Sequence, residues 1–109
     1  MIILDVWYNI QKQGDFELWL PTEHLGMLVE KLLPIIDLKP AYDFFERHGH
    51  TSRKYEKSVD KVPIDVEIYR CIEPWKSCVR FINRDENDKC TTLQIAEMLG
   101  LNLQSKKTN

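Results

Sequence analysis

The chain has 109 residues, 43% of them hydrophobic and 29% charged, and its net charge is −2. This composition is typical of one globular domain and excludes a wholly disordered chain. It lacks the basic excess of a duplex-binding domain and any apolar run of the roughly 20 residues that cross a bilayer. With no signal-peptide pattern at the start, the sequence predicts a cytoplasmic protein.

The first twenty residues alternate between apolar and polar positions, which predicts a β-hairpin. One face carries the even-numbered residues Ile2, Leu4, Val6, Tyr8 and Ile10 in the first strand and Phe16, Leu18 and Leu20 in the second. A five-residue turn over 11–15, with Gly14 free to take a positive φ, places Ile10 opposite Phe16 and Trp7 opposite Trp19. The apolar residues then share one side of the hairpin, as burial requires.

Two helices are predicted to follow. Thr22 is a suitable N-cap for the first, whose apolar stripe comprises Leu25, Leu28, Val29, Leu32 and Leu33. The second runs from Pro40, which suits the first helical turn, to a stop at Gly49. The polar stretch over 50–61 is expected to be an exposed loop or a frayed helical turn.

A second hairpin is predicted from the alternation of Val62, Ile64, Val66 and Ile68, resumed at Cys78 after a turn. Pairing Cys71 with Cys78 brings Asp65 opposite Arg84, so that an acid meets a base. A last helix begins at Thr91 and ends at Gly100.

The predicted order is therefore ββ-α-α-ββ-α. It indicates an α+β class in which two β-hairpins form one mixed sheet packed by helices. We expect a single domain over residues 1–103 and a polar tail over residues 104–109.

The segment over residues 1–36 resembles the opening of the ubiquitin-like β-grasp fold, in which a hairpin leads directly into a helix that crosses the sheet. The run Phe16-Glu17-Leu18-Trp19-Leu20-Pro21 before a leucine-rich helix is similar to the YukD/EsaB group, the small ubiquitin-like accessory proteins of bacterial type VII secretion. This resemblance implies a secretion accessory. The sequence departs from the group in its long stretch over 40–61 and in its poor final strand at 101–103. It also lacks the terminal diglycine of ubiquitin, so the resemblance does not imply conjugation to other proteins.

Three tryptophans are the candidate partner contacts. Trp7 and Trp19 share the hairpin face that carries Asp5 and Glu17. Two interpretations remain: a helix covers this face and makes the tryptophans core residues, or they form an exposed aromatic patch, since Trp is enriched in interface hot spots. Trp75, in the turn of the second hairpin, packs either on the protein or on a partner.

A basic cluster is the alternative binding site. Arg47, Arg53, Lys54, Tyr55 and Lys57 combine cations with an aromatic ring, a combination that suits nucleic acid. Arg80 and Arg84 are candidates to extend this cluster. Interspersed carboxylates dilute this charge, so a solvated charged loop is the competing interpretation.

No catalytic motif, cofactor motif or complete set of metal ligands is evident. His48 and His50 form an HxH pair, which needs further ligands such as Cys71, Cys78 or Cys90 to hold a metal. Since the cysteines form no CxxC pair, we expect free thiols. The sequence therefore predicts a non-enzymatic protein–protein interaction module (an adaptor, accessory or inhibitor), with a small nucleic-acid-binding regulator as the alternative.

Overall fold

A computed structural model describes residues 1–9, 14–51, 64–84 and 91–101. The elements in chain order are β1 (Asp5–Asn9), β2 (Asp15–Pro21), a 3₁₀ turn (Thr22–His24), α1 (Leu25–Leu32), α2 (Lys39–His48), β3 (Ile64–Arg70), β4 (Lys76–Asn83) and α3 (Thr91–Met98). The α+β class and the predicted order of two hairpins and three helices are confirmed. The predicted tail over 104–109 and Cys90 lie outside the described residues.

The strands form one sheet in the order β1-β2-β4-β3, and each neighbouring pair is antiparallel. The prediction of a mixed sheet is therefore wrong for the described strands. The reason lies at the junction of the hairpins, where β2 and β4 meet. Their antiparallel register sets Phe16 opposite Phe81, with ring centroids 4.9 Å apart, and Glu17 opposite Arg80.

The core lies between one face of the sheet and the helices. The sheet contributes Phe16, Leu18, Leu20, Ile64, Val66, Ile68, Val79 and Phe81, and the helices contribute Leu25, Leu28, Val29, Leu32, Ala41, Phe45, Ile95 and Ala96. These residues recur every second position in the strands and at helical spacing in the helices, as the alternation and the apolar stripes predict.

The first hairpin is shifted by two residues from its predicted register. Tyr8, rather than residue 10, lies opposite Phe16. The shift arises because the turn ends at Gly14, whose φ is +97°. Asp15 already belongs to β2, where its Oδ1 accepts a hydrogen bond from the Asn83 backbone N at 2.8 Å.

The second hairpin shows the same two-residue shift, and Tyr69 instead of Cys71 lies opposite Cys78. A tighter turn explains it, because the Cys71 N donates to the Lys76 carbonyl oxygen at 3.0 Å. The expected acid–base contact forms diagonally, with Arg84 Nε 3.0 Å from Asp65 Oδ1. A two-residue shift leaves every side chain on its predicted face.

The helices begin and end close to the predicted residues. Gly49 ends α2 with a φ of +83°. Leu33 was predicted in the α1 stripe but lies beyond the helix and is exposed. Thr22 does not cap α1; its Oγ1 instead lies 2.7 Å from Ser77 Oγ and so ties the 3₁₀ turn to β4.

Thr51 does not belong to the exposed loop that the sequence predicts, although His50 beside it is exposed. His50 forms an isolated bridge with Tyr69, and Thr51 is only 4% exposed. The Thr51 N donates to the Ile68 carbonyl oxygen at 2.9 Å, and the Ile68 N donates to Thr51 Oγ1 at 3.1 Å. These bonds satisfy backbone groups at the outer edge of β3, where a strand would otherwise leave them unpaired. Residues 52–61 of the predicted loop lie outside the described residues.

Among the described residues, no helix has the length and apolar character that crossing a membrane requires.

Candidate protein-binding face

The sheet face opposite the core forms the candidate site, and we call it the open face. The strand registers place on it Asp5, Trp7, Asn9, Asp15, Glu17, Trp19, Asp65, Glu67, Tyr69, Lys76, Cys78, Arg80 and Ile82. The buried residues of the described helices join the core cluster on the other side of the sheet. On the open face Asp5, Trp7, Asn9, Tyr69 and Arg80 are exposed, Trp19 is half-buried, and Asp65 and Cys78 are buried.

Trp7 lies on the outermost strand of this face and is 45% exposed. Its Nε1 donates a hydrogen bond to Asp5 Oδ2 at 2.9 Å, which fixes the indole along the strand. Glu17 lies directly opposite Trp7, and Asp5 lies opposite Trp19. The interpretation of Trp7 as a core residue is therefore wrong, because the described helices pack on the other face.

Trp19 and Trp75 lie around one lysine at the other end of β2. The Lys76 Nζ is 5.8 Å from the Trp19 ring centroid and 5.3 Å from the Trp75 ring centroid. The same Nζ pairs with Glu73 Oε1 at 2.9 Å. The lysine thus joins the two indoles through cation–π contacts within one surface cluster.

The turn that carries Trp75 is fixed to the rest of the fold. The Thr22 N donates to the Trp75 carbonyl oxygen at 2.7 Å. Trp75 is nevertheless 54% exposed and its neighbour Ile72 is fully exposed, so the turn presents apolar side chains from a fixed backbone. Such an arrangement limits the conformational entropy that binding would cost.

An ion cluster occupies the middle of the open face. Arg80 Nε lies 2.9 Å from Glu17 Oε2, and Arg80 Nη1 lies 3.3 Å from Glu67 Oε1. This arginine therefore connects β2, β4 and β3 on the solvent side. Lys76 and Tyr69 are not among the predicted site residues, and Arg80 is predicted only as a candidate extension of the basic cluster. The alternation of the second hairpin was the signal that could have placed them beside the tryptophans.

The Cys78 thiol and the Tyr69 phenol of the open face both have raised pKa values. Burial raises the pKa of Cys78 to about 12, with Glu17 adding to the effect. Burial also raises the pKa of Tyr69, and Glu67 adds to that shift. Because reactive thiols need a lowered pKa, Cys78 is suited to packing rather than to catalysis.

The other predicted site residues lie away from this face or outside the described residues. Arg47 is exposed in the last turn of α2. The remaining members of the predicted basic cluster, Arg53, Lys54, Tyr55 and Lys57, lie outside the described residues.

The rings of His48 and His50 are tilted against the Phe44 ring, with centroids 4.3 Å and 5.6 Å from it. The described residues contain no group of three His, Cys, Asp or Glu side chains arranged to hold a metal ion.

Comparisons of the chain with protein-family models, with curated proteins and with solved structures find no match. The resemblance to the YukD/EsaB group stays a prediction.

Proposed function

We propose that this chain is a non-enzymatic, cytoplasmic protein-binding module, and that Trp7, Trp19 and Trp75 contact its partner through the open face. An adaptor, an accessory protein or an inhibitor would each use such a surface. The resemblance to ubiquitin-like secretion proteins extends this proposal to a secretion accessory, which the identity of the partner would test.

The observation that carries the proposal is the exposure of two tryptophans on a rigid surface. Trp7 is 45% exposed and Trp75 is 54% exposed, and both have backbones held by the sheet or by its turn. Leaving large aromatic side chains in water sacrifices the free energy that their burial would contribute, about 25 cal/mol per Å² of apolar surface. Rigid aromatic residues of this kind are the usual anchors of protein interfaces.

The test is capture of partners by the tagged full chain from a lysate of its own organism, with half of the lysate treated with nuclease. Trp7→Ser and Trp75→Ser are compared with Met27→Ser, which removes an exposed apolar side chain from α1. We expect one or more proteins that survive nuclease treatment, are lost with the tryptophan variants and are retained by Met27→Ser.

Two results would contradict the proposal. Equal capture by Trp7→Ser, Trp75→Ser and the unmodified chain would remove the tryptophans from the interface. Partners that disappear on nuclease treatment, together with nucleic acid that is lost when Arg53 and Lys54 are changed to Glu, would favour the nucleic-acid-binding alternative instead.

A further inference from the structure

The open face carries more negative than positive charge among the residues that the structure describes. Together with Glu73 of the adjoining turn, its carboxylates are Asp5, Asp15, Glu17, Asp65 and Glu67. Together with Arg84, which follows β4, its cations are Lys76 and Arg80. The excess of carboxylates makes the local potential negative even though the whole chain is close to neutral.

The cations of this surface are already engaged within it. Lys76 pairs with Glu73, and Arg84 pairs with Asp65. Arg80 is shared between two glutamates, at 2.9 Å and 3.3 Å. A partner carboxylate or phosphate would have to displace these pairs and overcome the surplus negative charge. The pairs also engage Glu17, Asp65, Glu67 and Glu73, so a partner cation at the exposed Trp7 indole would meet Asp5.

An arginine side chain fits this combination best. Its planar guanidinium stacks on an aromatic ring while it donates hydrogen bonds to a carboxylate, which a lysine ammonium does less well. At Trp7 the ring lies beside Asp5 on the same strand and opposite Glu17 on the next. Both components of arginine recognition therefore occur together at an exposed position.

We propose that the segment of the partner that binds the open face is basic and places an arginine on Trp7. This inference rests on the proposed function, because it names the chemistry of a partner for the same surface. It selects a basic peptide segment over an acidic one and over nucleic acid, whose phosphates the surplus carboxylates repel.

The test is selection of a random peptide library on the immobilised full chain, after removal of the peptides that bind Trp7→Ser. We expect the retained peptides to be enriched in arginine and positively charged overall. Retained peptides that are neutral or acidic, or a selection in which no peptide distinguishes the unmodified chain from a folded Trp7→Ser chain, would overturn the inference.

The retained peptide then allows a direct measurement of charge dependence by fluorescence anisotropy. Replacing its arginine with citrulline, which keeps the shape and removes the charge, should weaken binding about ten-fold. Asp5→Asn should weaken binding by up to about five-fold. Glu30→Gln and Glu97→Gln, which remove exposed charges from α1 and α3, should leave it unchanged.

The outcomes separate this inference from the proposed function. A captured partner that depends on Trp7 but binds equally well to Asp5→Asn and at raised salt would keep the binding module and refute the basic segment. A partner that ignores the tryptophans would refute the proposed function itself. If Asp5→Asn and the two control variants weakened binding equally, binding would depend only on the overall charge of the chain. That result would overturn the placement of the partner's arginine on Trp7.

Discussion

Gly14 ends the first turn at a position where two other elements leave no space for a side chain. Its φ is +97°, and a Cβ there would lie 2.8 Å from Asn83 Nδ2 and 3.0 Å from Thr92 Oγ1. Gly14→Ala should therefore combine backbone strain with a clash and lower the free energy of unfolding by about 2–4 kcal/mol. Urea denaturation would measure this loss.

Gly100 provides the matched control for Gly14. Its φ is +74°, but nothing lies within 4 Å of its hypothetical Cβ. Gly100→Ala should cost only the strain of the left-handed conformation, about 1 kcal/mol. Equal losses for the two variants would show that the contacts around Gly14 have no energetic consequence.

The thiol of Cys78 should resist alkylation in the folded protein. Burial raises its pKa to about 12 from an ordinary 9.0, so at pH 8 the thiolate is about a thousandfold scarcer than in a free cysteine. Because the folded-state pKa is raised, any stability that depends on the neutral thiol is present below pH 9 and is lost as the pH rises toward about 12.

Peptide mapping after brief iodoacetamide treatment would give the rate at Cys78, with the less buried Cys71 as an internal reference. The rate at Cys78 should still be rising above pH 9. A rate that levels off near pH 9 would contradict the raised pKa.

At the scale of the elements, the two hairpins show what the sequence determines and what it leaves open. Alternation identified the buried face correctly in both, because burial repeats every second residue. It did not fix the register, since a shift of two residues leaves the faces unchanged and so leaves the apolar pattern equally satisfied. The turns decide the register. In the first hairpin the positive φ of Gly14 selects the pairing, and in the second the hydrogen bond from the Cys71 N to the Lys76 carbonyl oxygen does so.

Thr51 contributes two of the hydrogen bonds that hold its segment on the edge of β3. Thr51→Val keeps the shape of the side chain but removes the oxygen that accepts the Ile68 N–H, which leaves a buried donor without its partner. We expect a loss of about 1–3 kcal/mol in the free energy of unfolding and faster hydrogen exchange at the Ile68 amide. Thr51→Ser retains the hydroxyl and should keep the amide protected. An Ile68 amide that exchanges equally slowly in the valine variant would contradict this role.

The candidate site could be predicted only as a set of residues on a shared strand face. The sequence placed Trp7 and Trp19 with Asp5 and Glu17, and the observed register keeps all four together. Whether a helix covers that face depends on the side of the sheet to which each connection crosses, and an alternating strand carries no information on this. The apolar stripes of the helices are compatible with either side, so the exposure of Trp7 required the structure.

At the scale of the whole molecule, the described chain has two layers, with helices on one side of the sheet and the open face on the other. The core uses the apolar positions of β2, β3 and β4, whereas the tryptophans of the open face and its turn project away from it. One strand can therefore serve both roles, because successive side chains point to opposite faces. Leu18 and Trp19 are adjacent in sequence, yet the first is fully buried in the core and the second lies beside Lys76.

This separation predicts that the aromatic surface can be removed without unfolding the protein. Trp7→Ser and Trp75→Ser should each lower the free energy of unfolding by no more than about 1.5 kcal/mol, because roughly half of each side chain already contacts water. Leu18→Ala, which empties a fully buried position, should cost about 2–5 kcal/mol. Urea denaturation followed by circular dichroism would compare the three variants. If Trp7→Ser were as destabilising as Leu18→Ala, the indole would contribute to the fold as a core residue does, and its exposure could no longer be explained by a partner.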